Sequence, residues 1–234
     1  MRRVFPEPAG ETTVDELYGG PRPPPVDRPW VGICMVVSLD GSTVVDGRSG
    51  GLSSPTDLQV LLRLRAAADV ILVGASTVRQ EGYGPPRTPD QRIGVVTSRG
   101  DLDTSVELFT SGAGFLVLPE DGPPAPRTPD GRPVDVVRAG RRRVDVRLAL
   151  GRLTELLGPL RFVQVEGGPH LNGSLLDADC VDELNMTVAP VLVGGGGGRL
   201  TAGAAPAAHR FDLGHLAVDE LSFTFTRWLR HRDR

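Results

Sequence analysis

Apolar residues fall along this chain in short runs, each closed by a glycine, a proline or a small polar residue. Trp30–Ser38 (WVGICMVVS), Asp69–Ala75 (DVILVGA), Arg92–Ser98 (RIGVVTS) and Arg161–Gly168 (RFVQVEGG) have strand length and many branched side chains. GFLVLP and VDVVRA read the same way. Between these runs the spacing becomes helical. SSPTDLQVLLRLRAAA predicts a helix, with Ser53 or Ser54 as N-cap, Pro55 in the first turn and Asp57 facing the favourable end of the dipole. Its Leu58, Leu61, Leu62 and Arg65 share one side. VDVRLALGRLTELLG predicts a second helix ending at glycine, and STVRQEG and PHLNGSLLDAD predict two shorter ones. CVDELNMTVAPVLVGG reads as a strand that stops at a proline. DELSFTFTRWLR alternates like an antiparallel strand, with Phe223, Phe225, Arg227 and Leu229 in register.

Strands alternating with helices predict an α/β fold with a mostly parallel central sheet, helices on both faces and an antiparallel C-terminal edge. Residues 30–234 are expected to form that domain. Residues 1–29, with PRPPPVDRP, read as an extended Pro-rich arm rather than a folded element, either wrapping this chain or a neighbour or disordered. The Gly194–Gly198 run reads as a flexible loop after a strand.

Composition narrows the function classes. Net charge is −3 over 234 residues, without the basic excess of a nucleic-acid binder. All 26 basic residues are arginine, which excludes a lysine Schiff base. Cys34 and Cys180 form no CxxC pair and read as buried thiols. The four histidines have no metal-ligand spacing, so no metal is expected, and no G-x-S-x-G elbow is present. No apolar run reaches about 18 residues and no signal pattern opens the chain, so a cytoplasmic protein away from membranes is expected.

Candidate chemistry lies where strands end, because open α/β sheets bind ligands there. Three such ends carry glycines or hydroxyls: LVGAST (Leu72–Thr77), VVTSRG (Val95–Gly100) and VEGGPHLNGS (Val165–Ser174). In the last, Gly167 and Gly168 allow close backbone approach, and the following helix N-terminus favours a phosphate. Glu166 would repel that phosphate and suits a substrate's N–H groups instead. Gly74 frees space, and Ser76 or Thr77 can bond a phosphate or ribose. Ser98, with Thr97 and Arg99, can hold an adenosine ribose or its 2′-phosphate. Arg65 can pair with a substrate phosphate. Each segment alone also reads as an ordinary turn, cap or strand end.

Together, MVVSLDGSTVVDGRSGGLSSP, LRLRAAADVILVGASTVR, VVTS and VEGGPHLNGSLLDADCVDELNMTVAPVLVGG resemble the riboflavin-biosynthesis reductase domain, whose fold is dihydrofolate-reductase-like. The resemblance runs from about Trp30 to the C-terminus. It implies a homodimeric, NADPH-dependent reductase of a phosphoribosylamino-pyrimidine, with hydride delivered to a ribose-derived carbon. By motif match it places NADPH against Val36, Gly51, Thr77, Glu81, Ser98, Gly168, Pro169, His170, Leu171, Asn172, Gly173 and Ser174; Gly74 and Gly167 join these cofactor candidates as the glycines that allow close approach. It places substrate against Ser49, Arg65 and Glu166. It names no proton donor.

The deaminase signature, H-x-E with P-C-x-x-C, is absent. Cys34 stands where bifunctional members commonly carry lysine. Glu81, Gly82 and Tyr83 stand where Asp-Asp-Pro is frequent. These departures keep two alternatives open: a reductase of dihydrofolate or another pteridine, and a non-catalytic NADPH-binding protein.

Overall fold

The computed structural model describes residues 1–232. Its centre is one eleven-stranded sheet. In chain order the strands are β1 (Arg2–Phe5), β2 (Gly10–Glu11), β3 (Trp30–Val37), β4 (Val70–Gly74), β5 (Arg92–Val96), β6 (Gly114–Leu118), β7 (Val136–Arg138), β8 (Phe162–Val165), β9 (Glu183–Val188), β10 (Phe211–Val218) and β11 (Thr224–Arg230). They lie in the order β2-β1-β10-β11-β9-β3-β8-β4-β5-β6-β7. From β9 to β7 all neighbours are parallel. The other four pairings are antiparallel, so the expected mixed sheet is the observed one.

The helices are α1 (Val14–Tyr18), α2 (Pro55–Ala67), α3 (Ala75–Glu81), α4 (Glu107–Thr110), α5 (Val146–Leu157) and α6 (Pro169–Asp177). They cover both sheet faces, which is why the inner strands are apolar throughout rather than alternating. In β4, Val70 and Leu72 face the α5 and α6 side, while Ile71 and Val73 face α3 and α4. Beneath α1 and α2 a third cluster joins Tyr18, Val60 and Leu64 to Ala217 and Phe225. Among the described residues, no helix is long and apolar enough to cross a membrane.

Two expectations are corrected. The stripe of α2 that meets the sheet is Asp57, Val60 and Leu64, and Leu58 is 49% exposed. The leucines chosen from spacing lie on the flank, because two apolar rows at helical spacing compete in this segment. The N-terminal segment is also more than an extended arm. Residues 19–29 lack regular structure, but β1 pairs with β10 and α1 buries Leu17 and Tyr18. Arg22 pairs with Glu183 at 2.7 Å, and Arg28 forks onto Asp182 at 2.5 and 2.9 Å. All four side chains are buried. Partners more than 150 residues apart leave no local pattern.

Candidate active site

Parallel strands place the C-terminal ends of β3, β8, β4 and β5 along one edge of the sheet. The backbone ladder runs past the strand ends there. Glu166 N–H donates to the Leu72 carbonyl at 3.0 Å, and Gly74 N–H to the Gly167 carbonyl at 2.6 Å. Glu166 is therefore held rigidly beside β4. Gly167 has φ +75°, which favours glycine, and the Gly167–Gly168 peptide bond is cis. Gly168 is the N-cap of α6 and Gly74 that of α3, and neither helix end is capped by a side chain. A Cβ on Gly168 would lie 2.8 Å from Thr77 Oγ1, and one on Gly74 would lie 3.0 Å from Gly168 N. Both glycines are needed for this close approach.

Three cavities adjoin along this edge. The first, about 410 Å³, lies over Cys34, Met35 and Val36 of β3 and is walled by Asp57, Thr77, Tyr83, Glu166 and Gly168. Ser76 and Gly168 connect it to a second of about 560 Å³, flanked by Thr97, Ser98 and the arginines Arg79, Arg99 and Arg143. Ser49, Leu61, Glu81 and Tyr83 connect it to a third of about 480 Å³, reached by Arg65 and Arg87.

Where the first and third cavities meet, Glu166 accepts three hydrogen bonds. Arg65 Nε donates to Oε1 at 2.7 Å, Arg65 Nη2 to Oε2 at 2.6 Å and the Tyr83 hydroxyl to Oε2 at 2.6 Å. The Arg65 guanidinium also lies 5.4 Å from the Tyr83 ring centroid. The Glu166 side chain is 4% exposed and that of Arg65 24%. Burial opposes the Arg65 charge, but Glu166 outweighs it and keeps the guanidinium firmly protonated. Burial, then the Glu166 charge, push the Tyr83 phenol well up. Residues expected to bind substrate separately, Arg65 at a phosphate and Glu166 at a ring, are thus bonded to each other.

The remaining candidates divide by position. Val36, Thr77 and Pro169 line the first cavity, Gly168 the first and second, and Gly74, Ser98, His170, Leu171 and Ser174 the second. Ser49 and Glu81 border the first and third and are joined, Ser49 N–H donating to Glu81 Oε1 at 2.8 Å. Gly51, Gly167, Asn172 and Gly173 line none of the three. Gly51 packs on Val45, and a Cβ at Gly173 would strike the Ala202 carbonyl. Asn172 is fully buried and donates to the Leu200 carbonyl at 2.9 Å. The latter two turn away from the groove because α6 has an inner face toward the loop at 200–204.

Residues 29–223 match the RibD C-terminal domain. The chain belongs to that family. It is 30% identical over 179 residues to the 2,5-diamino-6-ribosylamino-4(3H)-pyrimidinone 5′-phosphate reductase of Methanothermobacter thermautotrophicus, covering 72% of this chain and 81% of that protein. It is 32% identical over 168 residues to the riboflavin biosynthesis protein RibD of Mycobacterium tuberculosis, covering 68% of this chain and 41% of that one. Among solved structures, a pyrimidine reductase-like protein from Corynebacterium diphtheriae superposes with a TM-score of 0.76 at 24% identity, over 95% of this chain and 100% of that one, a likeness of fold.

Within this RibD C-terminal domain, three of the departures noted in the sequence, Cys34, Glu81 and Tyr83, line the first cavity, and Gly82 lines the third. Cys34 is on the wall of the first, its thiol pushed well up by burial and then by the Asp57 and Glu166 charges. Tyr83 supplies the third donor to Glu166. Sequence reasoning missed the site positions of Asp57 and Arg143. Asp57 had a signal: it lies on the Val60–Leu64 stripe, where a carboxylate is out of place. Arg143 had none, being exposed in a loop far from the other motifs.

Proposed function

We propose that the chain is an NADPH-dependent reductase of a ribosylaminopyrimidine 5′-phosphate, with the cofactor in the second and first cavities and the substrate in the first and third. The observation that carries this reading is the continuous groove, with an uncapped helix end and three arginines on one side and the Arg65–Glu166–Tyr83 cluster on the other.

The residues fit a phosphorylated dinucleotide. The free N–H groups of α6 and the glycine approach at Gly168 suit a pyrophosphate. Arg99 and Arg143 suit a 2′-phosphate. Asp101 engages Arg99 and Arg79 only at 3.3 Å. A bound reduced nicotinamide supplies a hydride. The chain's own residues orient the partners and exclude water. Arg65 and Glu166 hold each other in one arrangement, so the ring meets a fixed pair of polar groups. Arg87, exposed in the third cavity and without an ion pair among the described residues, suits the substrate phosphate.

The test is NADPH oxidation by the purified protein with the 2,5-diamino pyrimidinone phosphate, its deaminated counterpart and dihydrofolate in parallel. Turnover on either pyrimidine phosphate is expected. Turnover on dihydrofolate alone, or on none of the three, rejects the reading.

A further inference from the structure

Opening a ribosylamine by reduction needs a proton as well as a hydride. A C–H bond forms at the anomeric carbon with the hydride of a reduced nicotinamide. The bond from that carbon to the ring oxygen breaks, and the oxygen leaves with the electron pair and takes up one proton. The first cavity must hold the group that gives it.

Its acidic walls are Asp57, Glu81, Glu166, Tyr83 and Cys34. Glu166 accepts three donors and carries its own cation. The Tyr83 proton is committed to Glu166. Glu81 is exposed and accepts a backbone N–H. Asp57 differs from all of these. It is 8% exposed and, among the described residues, has no cationic partner, yet it faces the cavity. Ser53 Oγ donates to its Oδ2 at 2.6 Å, and Thr187 hydrogen-bonds it from β9. A buried carboxyl on a cavity wall, held by hydroxyls alone, has no structural partner to explain its charge.

We propose that Asp57 is the acid of this site: its carboxyl gives the ring oxygen its proton and is then reprotonated from water. The proposal rests on the reductase reading above. Burial raises the Asp57 pKa against the opposing bonds from Ser53 and Thr187, which is the direction a proton donor needs. The titratable groups facing it are Cys34 on β3 and Tyr18 on α1. Burial pushes both well up, so neither ionises in the same range.

Two measurements decide the matter. First, carboxyl carbons labelled with ¹³C are titrated with and without NADPH, with Asp57→Asn assigning the signal. A midpoint above the ordinary carboxylate range is expected; ionisation throughout pH 5–8 overturns the proposal. Second, single-turnover reduction of the pyrimidine phosphate is followed against pH. Asp57→Asn should lose about 10²–10⁴-fold in rate, with NADPH affinity by fluorescence within about twofold, and should lose the fall in rate at high pH. Retention of the rate within about threefold overturns the proposal. If Asp57→Asn does not fold, Ser53→Ala replaces it. Removing that donor should move the alkaline limb to higher pH, and an unmoved limb counts against Asp57. Failure of the wild type to turn over the pyrimidine phosphate rejects the reductase reading, and the carboxyl titration then decides the role of Asp57 alone.

Discussion

Glu166→Gln is the sharpest perturbation of the site. The substitution keeps shape and removes one charge. Arg65, with its side chain 24% exposed, then faces a neutral amide in place of a carboxylate at 2.6 and 2.7 Å. Breaking a fully buried ion pair costs about 3–5 kcal/mol. The partial exposure of Arg65 lets water compensate some of this, which leaves about 2–3 kcal/mol. For a chain of this length that is a fall in Tm of about 5–10 °C. Urea unfolding at 25 °C measures it. Arg65→Met combined with Glu166→Gln removes the orphaned cation as well, so the double variant should recover about 2 kcal/mol relative to the sum of the singles. NADPH affinity should change less than turnover, because neither residue lines the second cavity, where the phosphates of the cofactor are proposed to lie, although Glu166 walls the first. The kcat/KM for the pyrimidine phosphate should fall about 10–10²-fold, as for loss of a charge-assisted contact. Single variants within about 0.5 kcal/mol of wild type, or a strictly additive cycle, would refute the reasoning.

Four further outcomes are expected. His215 is buried edge-on against Tyr18, with ring centroids 4.7 Å apart. Burial, then Arg227, hold its pKa down to about 4 from 6.5, so its contribution is full above pH 6.5 and lost as pH falls toward 4; His215→Leu should remove up to about 3 kcal/mol of that acid sensitivity in unfolding curves at pH 7.5 and 4.5. Gly168→Ala puts a Cβ 2.8 Å from Thr77 Oγ1 and should weaken NADPH binding at least about tenfold at a stability cost of about 1–2 kcal/mol, read by fluorescence titration and denaturation. Arg28→Ala leaves the buried Asp182 with only the Val31 N–H and the half-exposed Arg232 at 3.1 Å, and should destabilise by about 2 kcal/mol in urea, although it lies in the Pro-rich segment. Arg99→Ala with Arg143→Ala should raise the NADPH Kd about tenfold and leave that of NADH unchanged.

What could be read in the sequence was what is local. Strand ends such as Val165–Gly168 carry their signals within a few residues, and each predicted strand of the parallel sheet is present. Arg65 and Glu166 were both visible as candidates. Their bond was not, because it joins residues 101 apart. The N-terminal strands failed for the same reason: β1 is legible only beside β10, more than 200 residues later. β10 itself, HRFDLGHLAV, has too irregular an alternation to declare a strand, and its register shifts between Leu213 and His215. Asp57 was read as a helix-start residue because its Asp-Leu-Gln context is ordinary. Only the choice of stripe on α2 reveals that it points inward.

The start of the chain also sets how much backbone the sheet leaves open at its β10 edge. A sheet that ended on β10 would offer eight residues of open backbone to any passing strand. Here β1 covers the Leu216–Val218 end of that edge, and the last strand beyond it, β2, is two residues long. The strand pairing with β1 therefore shortens the open part of β10 on that side to Phe211–His215. Removal of the first eleven residues would bare the whole of β10 and lengthen the backbone open to a foreign strand.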